Sequence, residues 1–261
     1  MVKPAEFCEA LRVRGISFFA GVPGSLLQNL CSYLNDHSQP GEHVIAANEG
    51  NAVAMAAGYY LTTGNVGAAY MENSGLGNTV DPLASLTDPQ VYSIPVLLII
   101  GWRGEPDVKD EPQHVKQGRI TTGQLDLLEI PYHILEAKSA LNTVLDDVFS
   151  DLKREKAPVA IVVRKDTFAN RESHRKSRQT TTFKREAALR MILSLAGVKD
   201  TVIAATGQTS REVFEIRAER GEAQRDFLCM GSMGHTSSLA LGAALGKPDR
   251  RVICLDGDGA L

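Results

Sequence analysis

The sequence predicts an α/β protein made of two doubly wound parallel-sheet domains, the second incomplete. Three observations predict it. Short apolar runs alternate with segments of helical period. The apolar runs are hydrophobic at successive positions, as strands covered on both faces are. A basic stretch after residue 163 divides the alternation into a longer and a shorter half.

The elements follow in order. ISFFAGV (16–22) is strand-like, after which Leu26, Leu27, Leu30, Tyr33 and Leu34 recur at helical spacing. HVIAA (43–47) is a strand ahead of a small-residue helix, EGNAVAMAAGYYLTTG. VGAAYME (66–72) leads into the glycine-rich NSGLGN, and VLLIIGW (96–102) is a short buried strand. Arg103, Lys109, His114, Lys116 and Arg119 then crowd a loop at that strand's carboxyl end, where α/β ligand sites form. YHILE (132–136), a helix over about 139–154 and VAIVVRK (159–165) complete a first domain, 1–165. Residues 164–185 hold eight Lys/Arg against Asp166 and Glu172, so 166–185 is expected to be a solvated linker. In the second domain, 186–261, TVIAATG (201–207), FLCM (227–230) and RVICLD (251–256) are strand-like. Helices are expected over about 210–219 and 236–246. The last strand delivers a Gly-Asp-Gly turn with no covering helix after it, so a truncated product, or completion by a partner chain, is expected.

Composition narrows the function classes. With 261 residues, 43% hydrophobic and 23% charged, the chain is no disordered tail, fibre or disulfide miniprotein. A net charge of −3 makes no electrostatic case for nucleic acid or a membrane surface. The longest apolar run, around Ile94 to Ile100, falls short of the roughly 20 residues a bilayer requires. Glu6 and Glu9 interrupt the N-terminal region, so no secretory signal is expected. Cys8, Cys31, Cys229 and Cys254 show no CxxC spacing and read as buried reduced thiols of a cytoplasmic protein.

Three motifs carry chemistry. In AANEGNAVAMAAGYY, Asn48 is a plausible N-cap, and Glu49 is a carboxylate at the mouth of a buried helix, either structural or functional. GSMGHTSSLALGAALG (231–246) reads as a loop opening a small-residue helix, suited to close packing on another helix or on a flat cofactor. GDG (257–259) after an apolar strand is either a simple turn or a phosphate-approaching loop whose Asp258 holds a divalent metal.

Their order resembles that of the thiamin-diphosphate enzymes, and among these the phosphonopyruvate decarboxylase family. The resemblance rests on GVPGSLL (21–27), ANEGNAVAMAAGYY (47–60), YMENSGLGN (70–78), YSIPVLLIIGWRGEPDVKDEPQHVKQGR (92–119), TGQTSRE (206–212) and GSMGHTSSLALG (231–242). It implies the thiamin-diphosphate-binding fold, a pyrimidine-binding domain preceding a diphosphate-binding one, and decarboxylation of 3-phosphonopyruvate in phosphonate biosynthesis. It makes Glu49 the carboxylate that hydrogen-bonds the cofactor's aminopyrimidine ring. Met233 becomes the apolar wedge between the cofactor rings, the Gly231 carbonyl the acceptor for the exocyclic amine, and Asp258 a Mg2+ ligand. Gly207, Gln208, Thr209, Ser210, Ser232, Gly257 and Gly259 are expected around the diphosphate. Asn73, Ser74, His114, Lys116 and His235 are expected to meet an anionic 2-oxo acid. A homodimer or larger assembly, with the site between subunits, is also implied. Two departures stand out: Gly24 occupies a position where the family carries an acid, and no Asn follows GDG to complete the metal site. Sulfopyruvate decarboxylase and a non-catalytic partner subunit are the alternatives; a nucleotide-binding Rossmann protein is disfavoured because no GxGxxG follows an early strand.

Overall fold

The computed structural model describes residues 1–170 and 183–257, in two compact units that divide between Lys176 and Ser177. The first carries a six-stranded parallel sheet of β1 (Phe19–Gly21), β2 (His43–Ile45), β3 (Gly67–Glu72), β4 (Val96–Gly101), β5 (Tyr132–Leu135) and β6 (Val159–Val163). Their order across the sheet is β2-β1-β3-β4-β6-β5. The chain therefore steps outward from β1 to β2, then crosses back to place β3 on the other side of β1. This reversal opens a crevice at the carboxyl ends of β1 and β3, where ligands of open α/β sheets bind.

Alternation along the strands sorts the two faces. Ala68, Tyr70, Leu97, Ile99, Val159 and Ile161 pack against α1 (Pro4–Val13), α2 (Gln28–His37) and α6 (Leu141–Glu155) through Phe7, Leu11, Leu30, Leu34, Leu145 and Val148. Ala69, Met71, Leu98, Ile100 and Val162 face the other way. They meet α3 (Glu49–Thr63), α4 (Val80–Ser85) and α5 (Pro112–Leu127) through Ala52, Val53, Ala56, Leu83 and Leu125. Small residues along α3 let that helix lie close against β3, and Asn48 caps it as expected, its Oδ1 accepting from Asn51 N at 2.9 Å.

Two expectations are corrected in this unit. The stretch after β4 is a loop only as far as Glu111. Pro112 at the first helical position then starts α5, which carries His114, Lys116 and Arg119. NSGLGN folds as a 3-10 helix, Asn73–Thr79. Residues 166–170 are not a solvated linker: Thr167 and Phe168 are buried, Phe168 rests edge-on against Phe7 at 5.2 Å, and Val2 bridges Phe168. The remainder of the basic stretch, 171–182, lies outside the described residues.

The second unit holds β7 (Thr201–Ala204), β8 (Phe227–Leu228) and β9 (Val252–Leu255), parallel and ordered β8-β7-β9. One face packs α7 (Arg185–Leu195) and α8 (Gln208–Glu219) through Leu189, Leu193, Val213 and Ile216. The other receives Ala240 of α9 (Thr236–Gly246). Arg217 of α8 is buried and paired with the equally buried Asp226 at 2.8 Å. The thiols divide: Cys8 and Cys229 are buried, but Cys31 is only partly so and Cys254 is exposed. Among the described residues no helix is long and apolar enough to cross a membrane.

Candidate active site

In the first unit the site forms where the carboxyl ends of β1, β3 and β4 release their loops. Glu49 opens α3 and is buried. Its Oε2 accepts from Asn78 Nδ2 at 2.7 Å; among the described residues Oε1 has no hydrogen-bond partner. The 3-10 helix presses against this carboxylate so closely that a Cβ on Gly75 would overlap Oε1. A buried acid with one oxygen fixed and the other free is suited to hydrogen-bond a ring nitrogen.

Asn73 is put to a different use from the one expected. It is fully buried, and its Nδ2 donates to Arg103 O and to Thr121 Oγ1, both at 2.8 Å. Its Oδ1 accepts from Arg103 N at 3.0 Å. The amide is spent on clamping the 3-10 helix to the β4–α5 loop and α5, so it is not offered to a substrate. Ser74, next in sequence, is exposed.

The loop after β4 is organised by Arg103. Its guanidinium grips Asp110 through two bonds of 2.8 and 2.5 Å and reaches Ser25 Oγ at 2.5 Å. That grip holds the Asp110 carboxyl well below the usual carboxylate range. Burial and the same guanidinium push the His114 imidazole down, so at neutral pH it is a neutral donor rather than a cation. Lys116 is exposed on the next turn of α5.

Glu72, which sequence reasoning passed over, ends β3 at the heart of the crevice. Its Oε1 accepts from Leu26 N at 2.6 Å, while Oε2 is buried without a partner among the described residues. Burial raises its carboxyl to about 7, against the backbone amides of Leu26 and Leu27 and the charge of Arg103, which lower it. The available signal was an acid closing an otherwise apolar strand.

In the second unit the expected cofactor residues also gather at strand ends. Gly207 precedes α8 with φ +90, and the helix has no side-chain cap. The first-turn amides of Gln208, Thr209 and Ser210 therefore offer unsatisfied donors and the positive end of the helix dipole to an anion. Space beside Gly207 is open. The Ser210 hydroxyl is not among the free donors, since it donates to Ala204 O at 3.2 Å and Ala205 O at 2.7 Å. Beyond β8, Gly231 to Gly234 turn with Ser232 at φ +55, which projects Met233 outward, 48% exposed. His235 lies at the same turn and is exposed, its Nδ1 3.2 Å from Met233 O. After β9, Gly257 N donates to Asp256 Oδ1 at 3.1 Å, and Asp256 Oδ2 is buried without a partner among the described residues. Asp258 and Gly259 lie outside the described residues, within which no cluster of three or more metal-ligating side chains occurs. Taken unit by unit, the free Glu49 oxygen of the first fits the ring nitrogen of a cofactor, and the uncapped α8 amides and the Asp256 carboxylate of the second fit a metal-bridged diphosphate.

Comparison with known proteins bears on this geometry. Residues 5–127 match the thiamine pyrophosphate enzyme N-terminal TPP binding domain, and residues 205–261 match the C-terminal TPP binding domain. A phosphonopyruvate decarboxylase of Streptomyces viridochromogenes is 31% identical over all of this chain and 68% of its own length. A sulfopyruvate decarboxylase subunit alpha of Methanococcus maripaludis is 32% identical over 59% of this chain and 90% of its own. The fold is similar to that of benzoylformate decarboxylase from Polynucleobacter necessarius, with TM-score 0.51, 16% identity, and coverage of 81% of this chain and 40% of that one. The chain belongs to the phosphonopyruvate decarboxylase family of thiamin-diphosphate-dependent carboxy-lyases.

Proposed function

We propose that the chain catalyses, with thiamin diphosphate and Mg2+, the decarboxylation of 3-phosphonopyruvate to phosphonoacetaldehyde and CO2, a step of phosphonate biosynthesis in the cytoplasm. The observation that carries this reading is Glu49, buried at the mouth of α3 with Oε2 held by Asn78 and Oε1 without a partner among the described residues. When bound, the cofactor supplies the electron sink for carbon–carbon cleavage. The residues of this chain supply position and proton control. Glu49 hydrogen-bonds the aminopyrimidine, the Gly231 carbonyl orients its amine, and Met233 supports the rings. The amides of Gly207 to Ser210, with Ser232, Gly257 and Gly259, surround the diphosphate, and Asp258 holds Mg2+.

The anionic substrate is met by Ser74, by the neutral N–H of His114, by Lys116 and by His235. A homodimer or larger assembly brings Glu49 of one copy to Met233 and Asp258 of another. Exposed Met55 and Leu61 on α3 and Leu239, Leu241 and Leu245 on α9 support such an assembly, as does the word subunit in the name of the Methanococcus relative. Side-by-side turnover of 3-phosphonopyruvate and 3-sulfopyruvate tests the substrate. We expect kcat/KM to favour the phosphonate at least about tenfold, a difference of roughly 1.4 kcal/mol; a preference for the sulfonate overturns the assignment.

A further inference from the structure

The carboxyl ends of β1 and β3 meet through Gly24 and Glu72. A Cβ built on Gly24 would overlap Glu72 Cγ and Oε1, so the acid occupies the space that a side chain at position 24 would take. On its other flank, a Cβ on Gly101 at the end of β4 would lie 2.7 Å from Oε2. The loop after β1 and the end of β4 thus give up their side chains around one carboxyl group. Among the described residues one of its oxygens is used, by Leu26 N at 2.6 Å, and Oε2 is buried and unpartnered. A purely structural carboxylate in such a place would be expected to find partners for both oxygens, because an unmade hydrogen bond to a buried oxygen is costly. The group also sits where the strand order reverses, the place in the sheet at which a ligand is expected.

We propose that Glu72 is the acid–base residue of this site, carrying the proton that the substrate's carbonyl carbon takes up when CO2 departs. The inference rests on the decarboxylase reading above. In that reaction the bond between carbonyl carbon and carboxylate breaks, and its electron pair stays with the carbonyl carbon. One proton must then be added there to give the aldehyde. Neutral Glu72 gives that proton, becomes the carboxylate, and is reset by a proton from water. Burial, which holds the carboxyl near 7, keeps a useful fraction of it protonated at neutral pH. The titratable and charged groups facing it are Arg103 and Asp110 from the β4–α5 loop and Cys31 from α2. Arg103 is already held by Asp110, which leaves its charge largely compensated.

The test compares the parent chain, Glu72→Gln, Glu72→Ala, and Glu72→Ala combined with Gly24→Asp, each with thiamin diphosphate and Mg2+. CO2 release from 3-phosphonopyruvate is followed between about pH 5 and pH 9. Glu72→Gln keeps the oxygen that Leu26 N needs. It should lower kcat on the order of a hundredfold and abolish the limb of the pH profile near 7, while calorimetric affinity for thiamin diphosphate is unchanged. The infrared band of a protonated carboxyl titrating near 7 should be present in the parent and absent from Glu72→Gln. Should that variant fail to fold, the pair of Ala variants decides: restoring a carboxyl from position 24 should recover at least about tenfold of the lost rate, and no recovery counts against the proposal. An active parent beside a Glu72→Gln variant with the same kcat and pH profile overturns the role of Glu72 alone. A parent that releases CO2 from neither 3-phosphonopyruvate nor 3-sulfopyruvate overturns the decarboxylase reading, and this inference with it.

Discussion

Truncating Asn73 to alanine should destabilise the first unit sharply, because that amide is a clamp. The substitution removes three hydrogen bonds of 2.8, 2.8 and 3.0 Å at a fully buried position. It also strands the Arg103 N–H without a partner. At roughly 1 kcal/mol per bond, and a further 1–3 kcal/mol for a dry, unpaired donor, the expected loss is about 4–6 kcal/mol. The chain contains one tryptophan. This is Trp102, whose Nε1 donates to Gly118 O at 2.8 Å beside the clamp. Urea unfolding followed by its fluorescence therefore reports on this unit. With a slope of about 2–3 kcal/mol per molar urea, the midpoint should fall by about 1.3–3 M. Thr121→Val removes one acceptor of the same amide, so the two substitutions together should cost less than the sum of each alone. A midpoint shift under about 0.3 M at unchanged slope, or strict additivity, would refute the clamp and return Asn73 to the pool of substrate contacts.

Two further outcomes follow from buried charges. Asp226→Asn removes the buried one of the two carboxylates paired with Arg217, leaving Glu222, and should cost the second unit about 1.5–3 kcal/mol, read by circular dichroism during thermal unfolding; a loss under about 1 kcal/mol contradicts the pairing. Glu72 carries a folded-state pKa of about 7 against an ordinary value of 4.5. Between those two values the unfolded chain has released the proton and the folded chain still holds it, so parent stability falls as pH rises through this window and then levels off. Glu72→Gln lacks that loss, and the gap between variant and parent should widen by roughly 3 kcal/mol from pH 4.5 to pH 7. Parallel stability curves across this window would show that Glu72 titrates normally.

Much of the architecture was legible because short apolar runs have few alternatives once helices alternate with them. The limits of α9 were readable since nothing charged interrupts TSSLALGAALG. The helix α5 was not, because its first turns carry the exposed cations Lys116 and Arg119 while half-buried His114 with Gly118, Thr121 and Leu125 supplies a weakly apolar buried face. Residues 166–170 looked like linker from their charge, yet Phe168 finds Phe7 across the fold, a contact that no local pattern encodes. Within the site, Glu49 was visible as an acid opening a small-residue helix. Asn73 misled because a buried amide and a ligand-facing amide share the same sequence context. Glu72 was hidden for the complementary reason: its meaning comes from Gly24 and Gly101, glycines in the loop after β1 and at the end of β4 that leave it room.

The central claim is that the buried carboxyl of Glu49 activates the bound cofactor, and it can be measured without any substrate. The exchange of the thiazolium C2 proton of bound thiamin diphosphate with deuterium, followed by quenched-flow NMR, reads that activation directly. The account predicts fast exchange on the parent chain and a slowing of at least about a hundredfold in Glu49→Gln, with the cofactor still bound. Equal exchange rates on the two proteins would contradict it.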